Sequence, residues 1–122
     1  MQGFESDEQQ ALMQWAALEA GRWPELRLLY HIPNGGRRGK SEAARLRREG
    51  VRAGVPDLCL PVARGKWHGL YIELKRREGG RASEAQKAWL EALEEQGYCA
   101  KICRGWEEAA NEIAEYLRRG IG

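Results

Sequence analysis

The segment GLYIELK (69–75) carries a carboxylate and an ammonium two residues apart. Read as a β-strand, it turns Leu70, Ile72 and Leu74 to one face and Tyr71, Glu73 and Lys75 to the other. About 6.6 Å then separates Glu73 from Lys75, at a rise of about 3.3 Å per residue. Charged residues are depleted from strands, and an E-x-K pair alone also describes a solvated, salt-bridged edge strand. Pro56–Asp57 upstream changes that reading, with fifteen residues between the two acids. If the chain turns back about Gly65, positions i and 130−i face each other and Asp57 falls opposite Glu73, with Cβ atoms about 5 Å apart. Two carboxylates so placed repel unless a cation lies between them. An oxygen-only pocket with room for water suits Mg²⁺ or Mn²⁺. Such an ion activates bound water and screens a phosphodiester, and Lys75 beside it can position that water or stabilise developing charge.

The elements that must hold these residues follow from local patterns. Ser6 and Gln9 read as a capping box opening a helix over about 7–20, with Leu12, Trp15 and Ala16 inward and Gly21 as its stop. LRLLYHI (26–32) reads as a buried strand, and PNGGRRGK (33–40) as a loop. Ser41 is placed to cap a short helix, 42–49, closed by Gly50. A second strand spans 58–62, with Pro61 marking an exposed or bulged end, and GLYIELK is the third. Ser83 and Gln86 form a second capping box ahead of a helix over 84–96 that turns Ala85, Trp89, Leu90 and Leu93 inward. YCAKIC (98–103) is a fourth strand, and a last helix, 106–119, turns Trp106, Ala110, Ile113 and Leu117 inward. The order α-β-α-β-β-α-β-α predicts an α/β fold: a mixed central sheet flanked by helices, with strands two and three as an antiparallel hairpin and strands three and four parallel across a helix.

The totals agree with one domain over residues 1–122. No apolar stretch reaches membrane-spanning length, and MQGFESDEQQ lacks the basic and apolar regions of a secretory signal; a cytoplasmic protein is expected. Cys59, Cys99 and Cys103 show no zinc spacing and read as buried thiols. Net charge is only +2, yet twelve of the twenty Lys and Arg fall within 37–52 and 75–87. Two solvated, Arg-rich loops would give this pattern, as would a polyanionic partner on one side.

The combination of P-D (56–57) with E-L-K (73–75) resembles the PD-(D/E)xK nuclease motif. HIPNGGRR (31–38), GVRAGVPDL (50–58), GLYIELKR (69–76), the S-x-x-Q-x-x-W of Ser83, Gln86 and Trp89, and GY (97–98) resemble the VRR-NUC family, in order over roughly residues 5–118. The resemblance implies a restriction-endonuclease-like core and metal-dependent phosphodiester hydrolysis. Stand-alone members, found in phage and bacteria, are linked to cleavage of four-way (Holliday) DNA junctions as homodimers, so the implied setting is a bacterial or phage-infected cytoplasm. It assigns metal ligation to Asp57 and Glu73, the catalytic lysine to Lys75, and a main-chain metal contact to Leu74.

The family's first helix also supplies an acid. Of Glu5, Asp7 and Glu8, Glu8 shares the inward face with Leu12 and Trp15; an acid also suits a helix's first turn without any metal. Gln86 either leans into the site or serves its capping box. Asn34 either touches DNA or makes the turn with Gly35 and Gly36. His31 and His68 read as structural histidines or as functional ones. Arg37, Arg38, Lys40, Arg45, Arg47, Arg48 and Arg52 form the expected phosphate footprint, with Arg76, Arg77 and Arg81 as a second arm. The expected activity is a structure-selective endonuclease acting on branched or double-stranded DNA, foremost a junction resolvase. A flap or nicking nuclease, a non-catalytic nucleic-acid-binding module or a plain interaction domain are the alternatives. Trp23, Trp67 and Tyr116 are the aromatic candidates for a dimer interface.

Overall fold

The computed structural model describes residues 4–33 and 39–120. Four strands form one sheet in the order β1-β2-β3-β4: β1 (Tyr30–His31), β2 (Leu58–Leu60), β3 (Leu70–Lys75) and β4 (Cys99–Arg104). The first two pairings are antiparallel and β3–β4 is parallel. The β2–β3 register pairs Leu58 with Ile72 and Leu60 with Leu70, which is the i, 130−i register expected from the hairpin. The tip is out of phase with it: Arg64 pairs with Trp67, Val62 N–H donates to Leu60 O at 2.9 Å, and Gly65 takes φ +55°. The irregularity at Pro61 is therefore absorbed at the tip, and the ladder leading to Asp57 keeps its register.

One face of the sheet carries Leu58, Leu60, Leu70, Ile72, Leu74, Cys99 and Cys103, all in the core. Helices α1 (Phe4–Glu19) and α4 (Trp106–Arg118) cover it, with Leu12 and Ala16 from α1 and Ala110, Ile113 and Leu117 from α4. Each fully buried aliphatic side chain contributes about 1.5–3 kcal/mol. Helix α3 (Glu84–Glu95) crosses from β3 to β4 and packs along β4. Helix α2 (Lys40–Arg48) buries no residue. The three cysteines are free and buried, and burial pushes the Cys103 thiol up to about 12.

Several boundaries differ from the expectations. Helix α1 begins at Phe4, so Ser6 lies inside it and accepts a bond from Gln10 at 3.2 Å instead of capping. The helix ends at Glu19, and Gly21 is not among the left-handed glycines. The run 26–32 is mostly a 3-10 helix, Pro24–Leu28. Leu26 and Leu29 are buried while Leu28 is exposed, a spacing of three that a run of leucines hides from period counting. Helix α2 is opened by Gly39 rather than Ser41, β2 stops at Leu60 before an exposed Pro61, and within α3 only Leu90 is fully buried. Tyr116 is a core residue, 1% exposed, its hydroxyl donating to Val62 O at 2.6 Å; it cannot line an interface. Trp23 and Trp67 pack against the core as partly buried groups. No helix among the described residues is long and apolar enough to cross a membrane.

Candidate active site

The charged face of β3 is not an edge. β3 lies between β2 and β4, and Asp57, Glu73 and Lys75 are 7%, 2% and 8% exposed. Charges so deep need partners, and the fold supplies most of them. Asp57 Oδ2 accepts the Leu74 N–H at 2.7 Å, which ties the mouth of β2 to β3. Lys75 Nζ donates to Gln86 Oε1 at 3.0 Å and lies 3.4 Å from Glu73 Oε2. Gln86 Nε2 donates to Glu73 Oε2 at 2.9 Å.

Gln86 therefore does both things the sequence left open. Ser83 Oγ accepts the Gln86 N–H at 3.1 Å, and Gln86 Oε1 accepts the Ser83 N–H at 2.8 Å, closing the capping box of α3. The same amide bridges the acid and the lysine. Gln86→Ala is expected to destabilise the protein by about 1 kcal/mol, in line with a lost cap, and to lower activity about tenfold or more as Lys75 and Glu73 lose their shared partner. Ser83→Ala should reproduce the stability loss alone. Denaturant melts beside turnover of the two variants separate the roles.

Glu73 is pushed up to about 8, by burial first and then by the neighbouring Asp57 charge, with Lys75 opposing both. Its Oε1 is buried and has no hydrogen-bond partner among the described residues. A buried, unpaired carboxylate oxygen beside a second carboxylate is what a hard divalent cation neutralises, and an all-oxygen donor set suits Mg²⁺ or Mn²⁺ over softer metals. The residues present fit such an ion. Among the described residues no group of three or more His, Cys, Asp or Glu is arranged to hold a metal. The rest of the shell would fall to main-chain oxygen and water, as is usual for Mg²⁺. Leu74 brings its amide to Asp57, so its main chain lies at the site.

Glu8 is held elsewhere. Its Oε1 accepts the Trp106 N–H at 2.9 Å, satisfying one free donor at the start of α4, where Gly105 offers no side-chain cap. Its Oε2 accepts from Arg77 Nε at 3.0 Å, and Arg77 also pairs with Glu107. The side chain of Glu5 lies outside the described residues, as do Asn34, Arg37 and Arg38; Asp7 is exposed.

Of the other basic candidates, Lys40 and Arg48 are exposed on α2, together with Arg47. Arg45 is exposed but paired with Glu49 at 3.1 Å and Glu42 at 3.5 Å. Arg76 and Arg81 are exposed, whereas Arg77 is engaged by the two acids just named. Sequence reasoning missed Arg104, which donates to Gly79 O at 2.6 Å and Gly80 O at 2.9 Å and so shapes the loop after Lys75. It also missed the tie from Trp89 Nε1 to Ala53 O at 3.0 Å, which fastens α3 to the segment entering Pro56–Asp57. Neither contact has a local signal. His68 is exposed and packs edge-on against Tyr98, centroids 5.8 Å apart. His31 contacts the main chain of Asp57.

The VRR-NUC domain family model matches residues 4–107. A solved structure titled "VRR_NUC domain protein" shares 34% identity with this chain, covering 98% of it and 93% of its own length, with a TM-score of 0.83. No curated protein matches. A family match over most of the chain, and a relative that superposes along nearly all of it, make this protein a member of the VRR-NUC family, a nuclease-type domain on a restriction-endonuclease-like α/β fold.

Proposed function

We propose that the protein is a divalent-metal-dependent, structure-selective DNA endonuclease, foremost a four-way junction resolvase. The observation that carries this reading is the buried Asp57–Glu73 pair with its unpaired Oε1. A pure binding module has no use for two acids held at that cost.

Asp57 and Glu73, with the main chain of Leu74, would hold Mg²⁺ or Mn²⁺. The ion, when bound, supplies Lewis acidity and lowers the pKa of water. Lys75 holds its ammonium at the same place, bonded to Gln86, where it can donate to a phosphate oxygen or orient the attacking water. The exposed cations of α2, and Arg76 and Arg81, are set for phosphate contacts, which position a duplex and carry little sequence information. Selectivity for DNA shape rather than sequence is part of the proposal. A resolvase cuts two strands symmetrically, so two copies of the chain related by a two-fold axis are proposed, working in a bacterial or phage-infected cytoplasm.

The test is cleavage of an end-labelled four-way junction beside a linear duplex and a 5′ flap, in Mg²⁺, Mn²⁺ or EDTA, with Asp57→Asn as control. Paired symmetric nicks on the junction, absent in EDTA and in the variant, are the expected result. Cleavage of the flap alone would keep the site and change the substrate. Binding without cleavage in either metal would leave a nucleic-acid-binding module.

A further inference from the structure

Asp57 is held from two sides. On the β3 side its carboxylate takes the Leu74 N–H. On the β1 side its main-chain carbonyl accepts two donors, the Ile32 N–H at 2.7 Å and His31 Nδ1 at 2.9 Å. A carbonyl oxygen only accepts, so Nδ1 carries the hydrogen in this bond. The second donor matters because of what surrounds it. β1 has two residues, so its ladder offers few bonds. The residue before Asp57 is Pro56, which has no N–H to anchor the approach. The imidazole adds a side-chain rung where the backbone runs short of donors.

We propose that His31 is a positioning residue for Asp57: its Nδ1–H bond fixes the main chain there, so that the Asp57 carboxylate faces Glu73 in the geometry a divalent ion requires. The inference rests on the nuclease reading above. Partners that orient metal ligands are typically worth about 10–100-fold in metal affinity. His31 bonds the ligand's main chain rather than its carboxylate, so about tenfold is expected.

The two ring nitrogens can be told apart by substitution. Asparagine places an N–H where Nδ1 lies; glutamine places its amide where Nε2 lies. The full chain, its His31→Asn, His31→Gln and His31→Ala variants and Asp57→Asn are titrated with Mn²⁺ by calorimetry, and each is melted in EDTA. His31→Gln and His31→Ala should bind Mn²⁺ about tenfold more weakly. His31→Asn should bind as the parent does, and the Gln and Ala variants, which lose the bond, should melt somewhat lower while staying folded at the titration temperature. Equal Mn²⁺ affinity in all three His31 variants would overturn the inference, as would weaker binding confined to variants already partly unfolded at the titration temperature. If the parent binds Mn²⁺ and Asp57→Asn does not, an unchanged His31 series sinks this proposal alone. If the parent takes up no Mn²⁺, the metal-dependent reading falls and this proposal with it.

Discussion

Glu73→Gln is expected to abolish cleavage and, in the same protein, to raise stability at alkaline pH. The catalytic loss should reach at least about a thousandfold, the equivalent of roughly 4 kcal/mol, because the change removes half of the acidic pair that would hold the metal. The stability gain follows from the same environment. In the metal-free fold Glu73 is raised from an ordinary 4.5 to about 8. Between those values the unfolded chain binds fewer protons than the folded one, so stability falls as pH rises. The contribution of this group is fully present below about 4.5 and is lost as pH passes about 8. An amide cannot ionise, keeps an oxygen to accept from Gln86 Nε2, and turns an N–H toward the Asp57 side.

The checking measurement is the denaturant midpoint of parent and variant in EDTA at pH 5, 7 and 9, with the difference between them read against pH. Parent and variant should converge at low pH and separate steadily above it, the variant being the more stable. Undiminished cleavage would remove Glu73 from the chemistry. A pH-independent difference would mean that burial and the Asp57 charge do not act on Glu73 as described. Function and stability pull in opposite directions here because the site keeps a repulsion that a bound cation relieves.

Gly54→Ala is the second large effect, and it arises away from the charges. Gly54 has φ +88°, and a Cβ there would lie 2.7 Å from Ala85 C, 2.8 Å from Ala85 O and 2.9 Å from Ala85 Cβ. The first two are backbone atoms of α3, which cannot swing aside. Either the 51–56 segment, which leads into Asp57, or the helix, which carries Gln86, must move. Gly50 separates the two contributions, since it has φ +105° but open space around it. Gly50→Ala should cost about 1 kcal/mol for its backbone conformation alone. Gly54→Ala should cost about 3 kcal/mol, strain and overpacking together. It should also lower turnover in the fraction that remains folded. Equal stability losses for the two variants would show that α3 yields to the methyl group, and unchanged turnover would show that the site does not depend on this contact.

What could be read in the chain was what neighbours along the chain decide. The β2–β3 register followed from strand alternation and a turn near Gly65, both local, and so the facing of Asp57 and Glu73 was legible before any fold. The Ser83–Gln86 capping box was legible because its partners lie three residues apart. The parallel β3–β4 pair followed from the strand–helix–strand order along the chain. The segment 26–32 was misread because Pro24 and a leucine-rich run satisfy a strand and a 3-10 helix equally, and packing of Leu26 and Leu29 decides between them. Tyr116 was misplaced because an aromatic on a helix face carries no mark of whether a carbonyl such as Val62 O waits to accept its hydroxyl.

The fold class, the hairpin register and the choice of Asp57, Glu73 and Lys75 as candidates were all legible in the chain. Tertiary structure alone decided how these residues are supported: Gln86 bridging Glu73 and Lys75, Glu8 closing the start of α4 and holding Arg77, and His31 bonded to the main chain of Asp57. The physical reason is range. Register and caps are set by backbone geometry within a few residues, whereas these supports join groups brought together only when the helices pack on the sheet, and packing leaves no periodic trace in a single sequence.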